Sequence, residues 1–204
     1  MKWRDPDAAF DRLYQAAEGQ SGYFTARQAV EAGYSRPLHT YHVRKGHWLK
    51  IDRGIFRLKN FPSSRYEDLV RWTLWSQGRA VISHETAAAV HELGDLMPAR
   101  IHLTVEPGFR KPIPPILVVH RDRIPSVEVG DREGFRITNP LRTVLDLIRY
   151  PMDLDHLAGV IGDALDRGAV RREVLESEIA KMDVRFRECG FLALRASGER
   201  YVAI

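Results

Sequence analysis

Residues 25–59 read TARQAVEAGYSRPLHTYHVRKGHWLKIDRGIFRLK. A short helical pattern stops at Gly33, a residue that tolerates the positive φ of a tight corner. A second helix opens at the Ser-Arg-Pro sequence and runs over 35–45, because Ser caps helices and Pro fits the first turn. Two strand-like runs follow, Trp48–Asp52 and Ile55–Leu58, joined by an Arg-Gly turn. Helix, turn, helix and hairpin in this order predict a winged helix-turn-helix.

In such a unit the second helix enters a major groove of DNA and the hairpin contacts the backbone or the minor groove. The charges fit that role. Between residues 36 and 59 the only acid is Asp52, and the cations are Arg36, Arg44, Lys45, Lys50, Arg53, Arg57 and Lys59. Cations along one helix and its wing suit a phosphate backbone.

Helical periodicity leaves two registers open for the second helix. If Leu38 is the core anchor, Tyr41 and His42 share its side, while Thr40 and Arg44 point outward with Arg36 near the helix start. A register centred on His39 and His42 also leaves Thr40 and Arg44 outside. The alternative to DNA binding is a solvated basic helix packed against its neighbour.

Charge is distributed unevenly along the 204 residues. Residues 1–62 contain 11 Lys and Arg against 6 Asp and Glu, whereas residues 63–204 contain 20 against 21. Asn60 to Ser64, with Pro and two Ser, is the best boundary. We therefore expect a basic binding domain, 1–62, followed by a near-neutral domain, 63–204.

The second domain interleaves strands and helices, which predicts an α/β fold with a mixed sheet and covering helices. Strand patterns lie near 80–82, 101–106, 116–120 and 135–138, and a helix opens at Asn139-Pro140. Arg142 and Asp146 are spaced for a helix-surface ion pair. Beyond residue 184 no clear period is visible, and 191–194 and 201–204 are interpreted as short strands or a docking tail.

The sequence patterns provide little support for a catalytic site or a metal site. His84, Glu85 and His91 lack the spacing of a zinc-protease helix. Phosphate-binding glycine loops and a nucleophile elbow are absent from the sequence, and Cys189 is single. We expect no catalytic site, no metal and no cofactor. No apolar run reaches a membrane span, so we expect a cytoplasmic protein without membrane contact.

Three patches resemble the AbiEi family, the antitoxins of bacterial type IV toxin–antitoxin modules. They are DRGIFRL at 52–58, ISHETA at 82–87 and TNPLRTVLDL at 138–147. The resemblance implies an autorepressor whose winged helix binds inverted repeats in its own promoter, with a dimer on DNA as one arrangement. It also implies a C-terminal domain that counters a nucleotidyltransferase toxin, with or without direct contact.

Two sets of site residues follow from these readings. The DNA-binding candidates are Arg36, His39, Thr40, Arg44, Lys45, Lys50, Arg53 and Arg57. The antitoxin-domain motif comprises Ser83, His84, Glu85, Arg142, Thr143 and Asp146. Two alternatives stay open: a DNA-targeted, metal-dependent nuclease with carboxylates converging on one metal, and a winged helix that binds protein instead of DNA.

Overall fold

The computed structural model of the protein describes residues 6–199 and divides into two compact units. Unit 1 extends through Ala80 and includes Asp131–Phe135, and unit 2 comprises Val81–Gly130 and the chain from Arg136 onward. The mixed α/β class is confirmed.

Unit 1 is a winged helix-turn-helix followed by one more helix. Its three strands pair antiparallel in the order β1–β3–β2. The elements are α1 (Pro6–Glu18), β1 (Tyr23–Thr25), α2 (Ala26–Ala32), α3 (Arg36–Arg44), β2 (Trp48–Asp52), β3 (Ile55–Leu58) and α4 (Glu67–Trp75). Its core is built from Ala9, Leu13, Ala17, Phe24, Ala29, Ala32, Tyr34, Trp48, Phe56 and Leu58.

Local signals fix the corner between α2 and α3. Thr25 and Gln28 form a capping box, in which each side chain bonds the other's backbone N–H. Gly33 ends α2 at φ 118°, and its N–H donates to the carbonyls of Ala29 and Val30. This satisfies free carbonyls at the end of the helix, so α3 can start three residues later, at Arg36.

The expected boundary at residues 62/63 is wrong, because α4 belongs to unit 1. The helix packs against β1 and β3, and Glu67 near its start accepts from Arg57 of β3 at 3.0 Å. Residues Asp131–Phe135 join the same unit, and a Cβ added to Gly134 would lie 2.7 Å from the carbonyl oxygen of Gly19. Only glycine permits so close an approach.

Unit 2 carries a mixed sheet in the order β6–β5–β4–β8–β7, with β4 antiparallel to β5 and parallel to β8, and β5 parallel to β6. The strands are β4 (Val81–Ile82), β5 (Ile101–Val105), β6 (Leu117–Arg121), β7 (Val129–Arg132) and β8 (Phe135–Thr138). The helices are α5 (His84–Val90), α6 (Pro140–Arg149), α7 (Leu154–Asp166), α8 (Arg172–Ala180) and α9 (Val184–Glu199).

The helices α5 to α9 form the main apolar core of unit 2, with Leu147, Leu157, Ile161, Leu175 and Ile179 almost fully buried. Of the two interpretations of 191–194, the short strand is wrong: these residues lie in α9, which buries Ala193 and Leu194 in this core. The interpretation of 201–204 as a short strand or a docking tail concerns residues outside the described part of the chain. Over residues 6–199, no helix combines the length and apolarity that a membrane crossing requires.

Candidate functional site

Helix α3 is anchored through His39 and not through Leu38. His39 is 7% exposed, bonds the carbonyl of Tyr34 through Nε2 at 3.2 Å, and contacts the rings of Trp48 and Phe56. Leu38 is 40% exposed. The proposal of His39 as a DNA contact is therefore wrong, because its ring fills the core between α3 and the wing.

The opposite face of α3 is polar and open to solvent. Its exposed residues are Arg36, Thr40, Arg44 and Lys45. Both helical registers considered for α3 predict this exposure of Thr40 and Arg44. Arg36 is the first residue of the helix, so its side chain lies at the N-terminal end, and Pro37 follows it in the first turn. The helix thus presents three cations and one hydroxyl outward.

The wing carries two more exposed cations. Lys50 lies on β2, and Arg53 lies in the turn, where its N–H donates to Asp52 Oδ1 at 2.6 Å. Its turn residue Gly54 adopts φ 74°. His42 ties the helix to this wing, because its ring stacks on Trp48 at 4.7 Å with 17° between the planes. Burial, with His47 and His39 nearby, lowers the pKa of His42, which favours its neutral ring.

Arg57 does not belong with these exposed cations, and its proposed role as a phosphate contact is wrong. The side chain is 9% exposed, pairs with Glu67 at 3.0 Å and donates to the carbonyl of Pro62 at 3.0 Å. Its guanidinium also lies over the ring of Tyr23. The sequence pattern correctly placed Arg57 on the wing, but strand β3 is buried along its whole length, so the charge of Arg57 does not face solvent.

In unit 2, the Ser83-His84 pair at the start of α5 meets the sheet. Ser83 is fully buried, and its Oγ accepts from Thr104 Oγ1 on β5 at 2.8 Å. The same Oγ lies 3.0 Å from His84 Nδ1. Ser83 occupies the cap position, but its side chain makes no capping hydrogen bond to α5 and instead ties the helix to the sheet through β5.

Three imidazoles cluster at this point. The rings of His84 and His120 stack face to face, with centroids 3.4 Å apart and 9° between planes. His120 Nε2 lies 3.2 Å from His102 Nδ1, and Tyr150 approaches all three rings edge-on. His84 adopts φ 52°, a left-handed conformation that costs a non-glycine residue of order 1 kcal/mol.

Burial sets the protonation state of this cluster. It lowers the pKa of His84 to about 2, with His120 and His102 adding to the shift. It lowers the pKa of His102 and of His120 to about 4 each. All three rings are therefore neutral at pH 7, which is what permits two of them to stack in contact.

The Arg142–Asp146 pair is buried, so its interpretation as a helix-surface ion pair is wrong. Arg142 is 9% exposed and binds three carboxylates: Asp146 through Nε at 2.8 Å, Glu128 through Nη1 at 2.7 Å, and Asp122 through Nη2. Burial alone would lower the pKa of Arg142, but these carboxylates raise it above its ordinary value.

Asp146 is only half satisfied within this network. Its Oδ1 accepts from Arg142, while Oδ2 is buried with no hydrogen-bond partner. Burial raises the pKa of Asp146 to about 6, against the opposing effect of Arg142. Thr143 has a structural role, since its hydroxyl is within hydrogen-bond distance of Thr138 Oγ1 at 2.7 Å and of the carbonyl of Asn139 at 2.9 Å.

The structure brings Ser83, His84, Arg142 and Asp146 to one region, whereas Glu85 is half-buried on the next position of α5. The sequence interpretation did not identify the remaining members, which are His102, His120, Tyr150, Asp122 and Glu128. One signal was available. His102 and Thr104 alternate along β5, and the β5–β6 register pairs Thr104 with His120, which places polar groups on one sheet face.

The carboxylates of this region converge on a guanidinium. Within residues 6–199, no group of three or more His, Cys, Asp or Glu side chains has the arrangement of a metal site. The nuclease alternative requires carboxylates that converge on one metal, and the described part of the chain does not contain such a group.

Comparisons with known proteins agree with both units. A family model described as "Transcriptional regulator, AbiEi antitoxin" matches residues 11–59, and one described as "AbiEi antitoxin C-terminal domain" matches residues 79–188. The crystal structure of the RV2827C protein from Mycobacterium tuberculosis has a similar fold, with a TM-score of 0.63 and 16% identity. That match covers 96% of this chain and 78% of the other. No curated protein sequence matches. The two family matches together span most of the chain, which therefore belongs to the AbiEi antitoxin family.

Proposed function

We propose that this antitoxin represses its own operon by binding inverted repeats through unit 1, and that unit 2 counters a nucleotidyltransferase toxin. One observation carries the DNA-binding half. His39 holds the inner face of α3, while Arg36, Thr40, Arg44 and Lys45 all lie on its exposed side.

The exposed residues divide into two groups by the part of the DNA that each contacts. Thr40 and Arg44 lie along α3 and contact base edges in the major groove. Arg36 at the helix start, Lys45 at its end, and Lys50 and Arg53 on the wing bind phosphates. About four phosphate contacts give a log–log salt slope of about −4 for each half-site. Inverted repeats require two copies of the chain, either as a dimer or by cooperative loading.

Arg44→Ala combined with Arg53→Ala is expected to weaken operator binding about 30-fold or more. The pair removes one base contact, with about 1–3 kcal/mol of discrimination, and one phosphate contact. The measurement is an electrophoretic mobility shift with DNA upstream of the gene, at fixed and stated salt concentration.

A matched control removes the same net charge elsewhere. Arg172 and Lys181, at and after α8 in unit 2, are exposed and paired with nearby glutamates. Arg172→Ala with Lys181→Ala should leave the mobility shift unchanged. Equal binding by both double variants and the parent chain would favour the protein-binding alternative for the winged helix.

The antitoxin half is separable from DNA binding in the same full-length chain. Expressed from an unrelated promoter, the Arg44→Ala and Arg53→Ala variant should still restore growth to cells that make the neighbouring toxin. Its exposed substitutions lie in unit 1, whereas the motif residues lie in unit 2. Growth counts with and without toxin induction provide the measurement. Failure of a folded, abundant variant to restore growth would assign the activity to the DNA-binding surface instead.

A further inference from the structure

A small cavity opens in unit 2 beside the histidine cluster. Its volume is about 260 Å³, and it is lined by His84, Thr104, His120, Arg121, Asp122, Arg142, Asp146, Arg149 and Tyr150. The most buried of these residues are His84, Thr104, Arg142 and Asp146, whereas Arg121, Asp122 and Arg149 are exposed. The cavity therefore has a buried floor and a charged rim.

The floor contains an unused hydrogen-bond acceptor. The Asp146 side chain is 5% exposed, and its Oδ2 has no partner. Buried polar atoms in native proteins are nearly always paired, so an orphaned oxygen at a cavity indicates a missing donor. A ligand bearing an N–H group would satisfy it.

The walls are flat and aromatic. The stacked rings of His84 and His120 form one wall, and the Tyr150 ring stands nearly perpendicular to both, at 78° and 81°. His84 Nδ1 and His120 Nε2 are engaged with Ser83 and His102, which leaves His84 Nε2 and His120 Nδ1 for other contacts. Neutral rings of this kind suit a planar heterocycle with hydrogen-bonding edges.

The rim supplies positive charge. Arg121 is exposed at the end of β6, and the Arg149 side chain is 45% exposed at the end of α6. The acidic rim residue Asp122 is bound to Arg142, which offsets its charge. Two guanidinium groups outside a small aromatic cavity match an anionic group attached to a planar ring, because guanidinium binds phosphate in a bidentate manner.

We propose that this cavity binds a free nucleotide with an amino-bearing base. The amino group donates to Asp146 Oδ2, the base lies against His84, His120 and Tyr150, and the phosphates remain outside on Arg121 and Arg149. The volume admits one base and leaves the phosphates at the mouth. This inference concerns unit 2 alone and does not depend on DNA binding by unit 1.

Isothermal titration calorimetry on the full chain tests the proposal with six probes: ATP, GTP, CTP, UTP, a nucleoside without phosphate, and sodium triphosphate. We expect one site per chain. At least one amino-bearing triphosphate should bind 10-fold or more tightly than UTP, than its own nucleoside and than triphosphate. Absence of binding by every nucleotide at millimolar concentration would overturn the proposal, as would equal binding by triphosphate alone.

Variants locate the site. Arg149→Gln should weaken the preferred nucleotide about 10-fold or more and leave its nucleoside unaffected. Arg172→Gln is the matched control, because its side chain is 48% exposed and also lies on a helix of unit 2. Equal weakening by both variants, or by neither, would overturn the assignment to this cavity. Arg149 Nη1 also lies 3.9 Å from the buried Asp146 Oδ1. The Arg149 and Arg172 side chains are both on the surface, so neither substitution removes a side chain from the core.

The acceptor is tested separately. Asp146→Asn should reduce the preference for the amino-bearing base over UTP, since the amide presents a donor where the carboxylate only accepts. Amide hydrogen exchange in α6 monitors whether this variant stays folded. A folded Asn variant with unchanged preference would overturn the proposed contact between the base and Asp146.

Discussion

Arg142→Met is expected to lower the free energy of unfolding of unit 2 by about 3–5 kcal/mol. The substitution leaves Asp146, a carboxylate 5% exposed, without the Arg142 guanidinium that it binds at 2.8 Å. Removing one member of a buried ion pair has this large effect because the remaining charge is uncompensated in a poorly solvating environment. Glu128 and Asp122 lose the same partner but are more exposed, so they add less.

Two probes separate the units in this measurement. All four tryptophans occur before residue 81, so tryptophan fluorescence reports unit 1. Amide hydrogen exchange in α6 reports unit 2. Arg142→Met should accelerate exchange in α6 far more than Arg172→Met, whose side chain is exposed. Adding Asp146→Leu to Arg142→Met should recover part of the loss, because the uncompensated charge is removed. If Arg142→Met and Arg172→Met had equal effects, the buried network would be unimportant for stability.

Acidification is expected to destabilise unit 2 by about 4 kcal/mol between pH 6.5 and pH 4.5. His84, His102 and His120 have folded-state pKa values of about 2, 4 and 4, well below the ordinary value of 6.5. Their contribution is complete above pH 6.5 and is lost as the pH falls towards the folded-state values, because the unfolded chain then binds protons that the folded chain does not.

Asp146 opposes this trend. Its folded-state pKa of about 6 lies above its ordinary value, so its contribution is complete below pH 4 and is lost as the pH rises through 6. Three histidines outweigh one carboxyl group, which sets the direction of the net change.

Urea unfolding at a series of pH values, followed by far-ultraviolet circular dichroism, measures this effect. His102→Gln should flatten the pH dependence by about one proton, or about 1.4 kcal/mol per pH unit. His156→Gln, at a histidine that is 61% exposed, is the matched control. A stability that is constant from pH 6.5 to pH 4.5 would show that the three rings are accessible to protons in the folded state.

Short-range patterns predicted the winged unit well. The wing strands have the predicted bounds, because alternation and an Arg-Gly turn specify a hairpin locally. Strand β1 was not predicted. Tyr23 and Phe24 form it by pairing with Arg57 and Phe56 more than 30 residues later. Such pairing leaves little trace in the sequence around Tyr23.

The candidate site was predictable only in part, for the same reason. Exposure of Thr40 and Arg44 followed from helical periodicity. The burial of Arg57 and Arg142 did not, because each depends on partners brought from other elements, Glu67 in one case and Asp122 and Glu128 in the other. The histidine cluster joins α5, β5 and β6, and only the order of strands in the folded sheet places these residues together.

The five residues Asp131–Phe135 bear on how this protein could be recombined. These residues belong to unit 1, although fifty residues separate them from Ala80, where the first segment of that unit ends. Exchanging the first 80 residues for those of a relative would therefore transplant an incomplete module. A chimera with new operator specificity would need the matching loop with Gly134 grafted alongside, so that evolution by simple end-to-end shuffling is disfavoured.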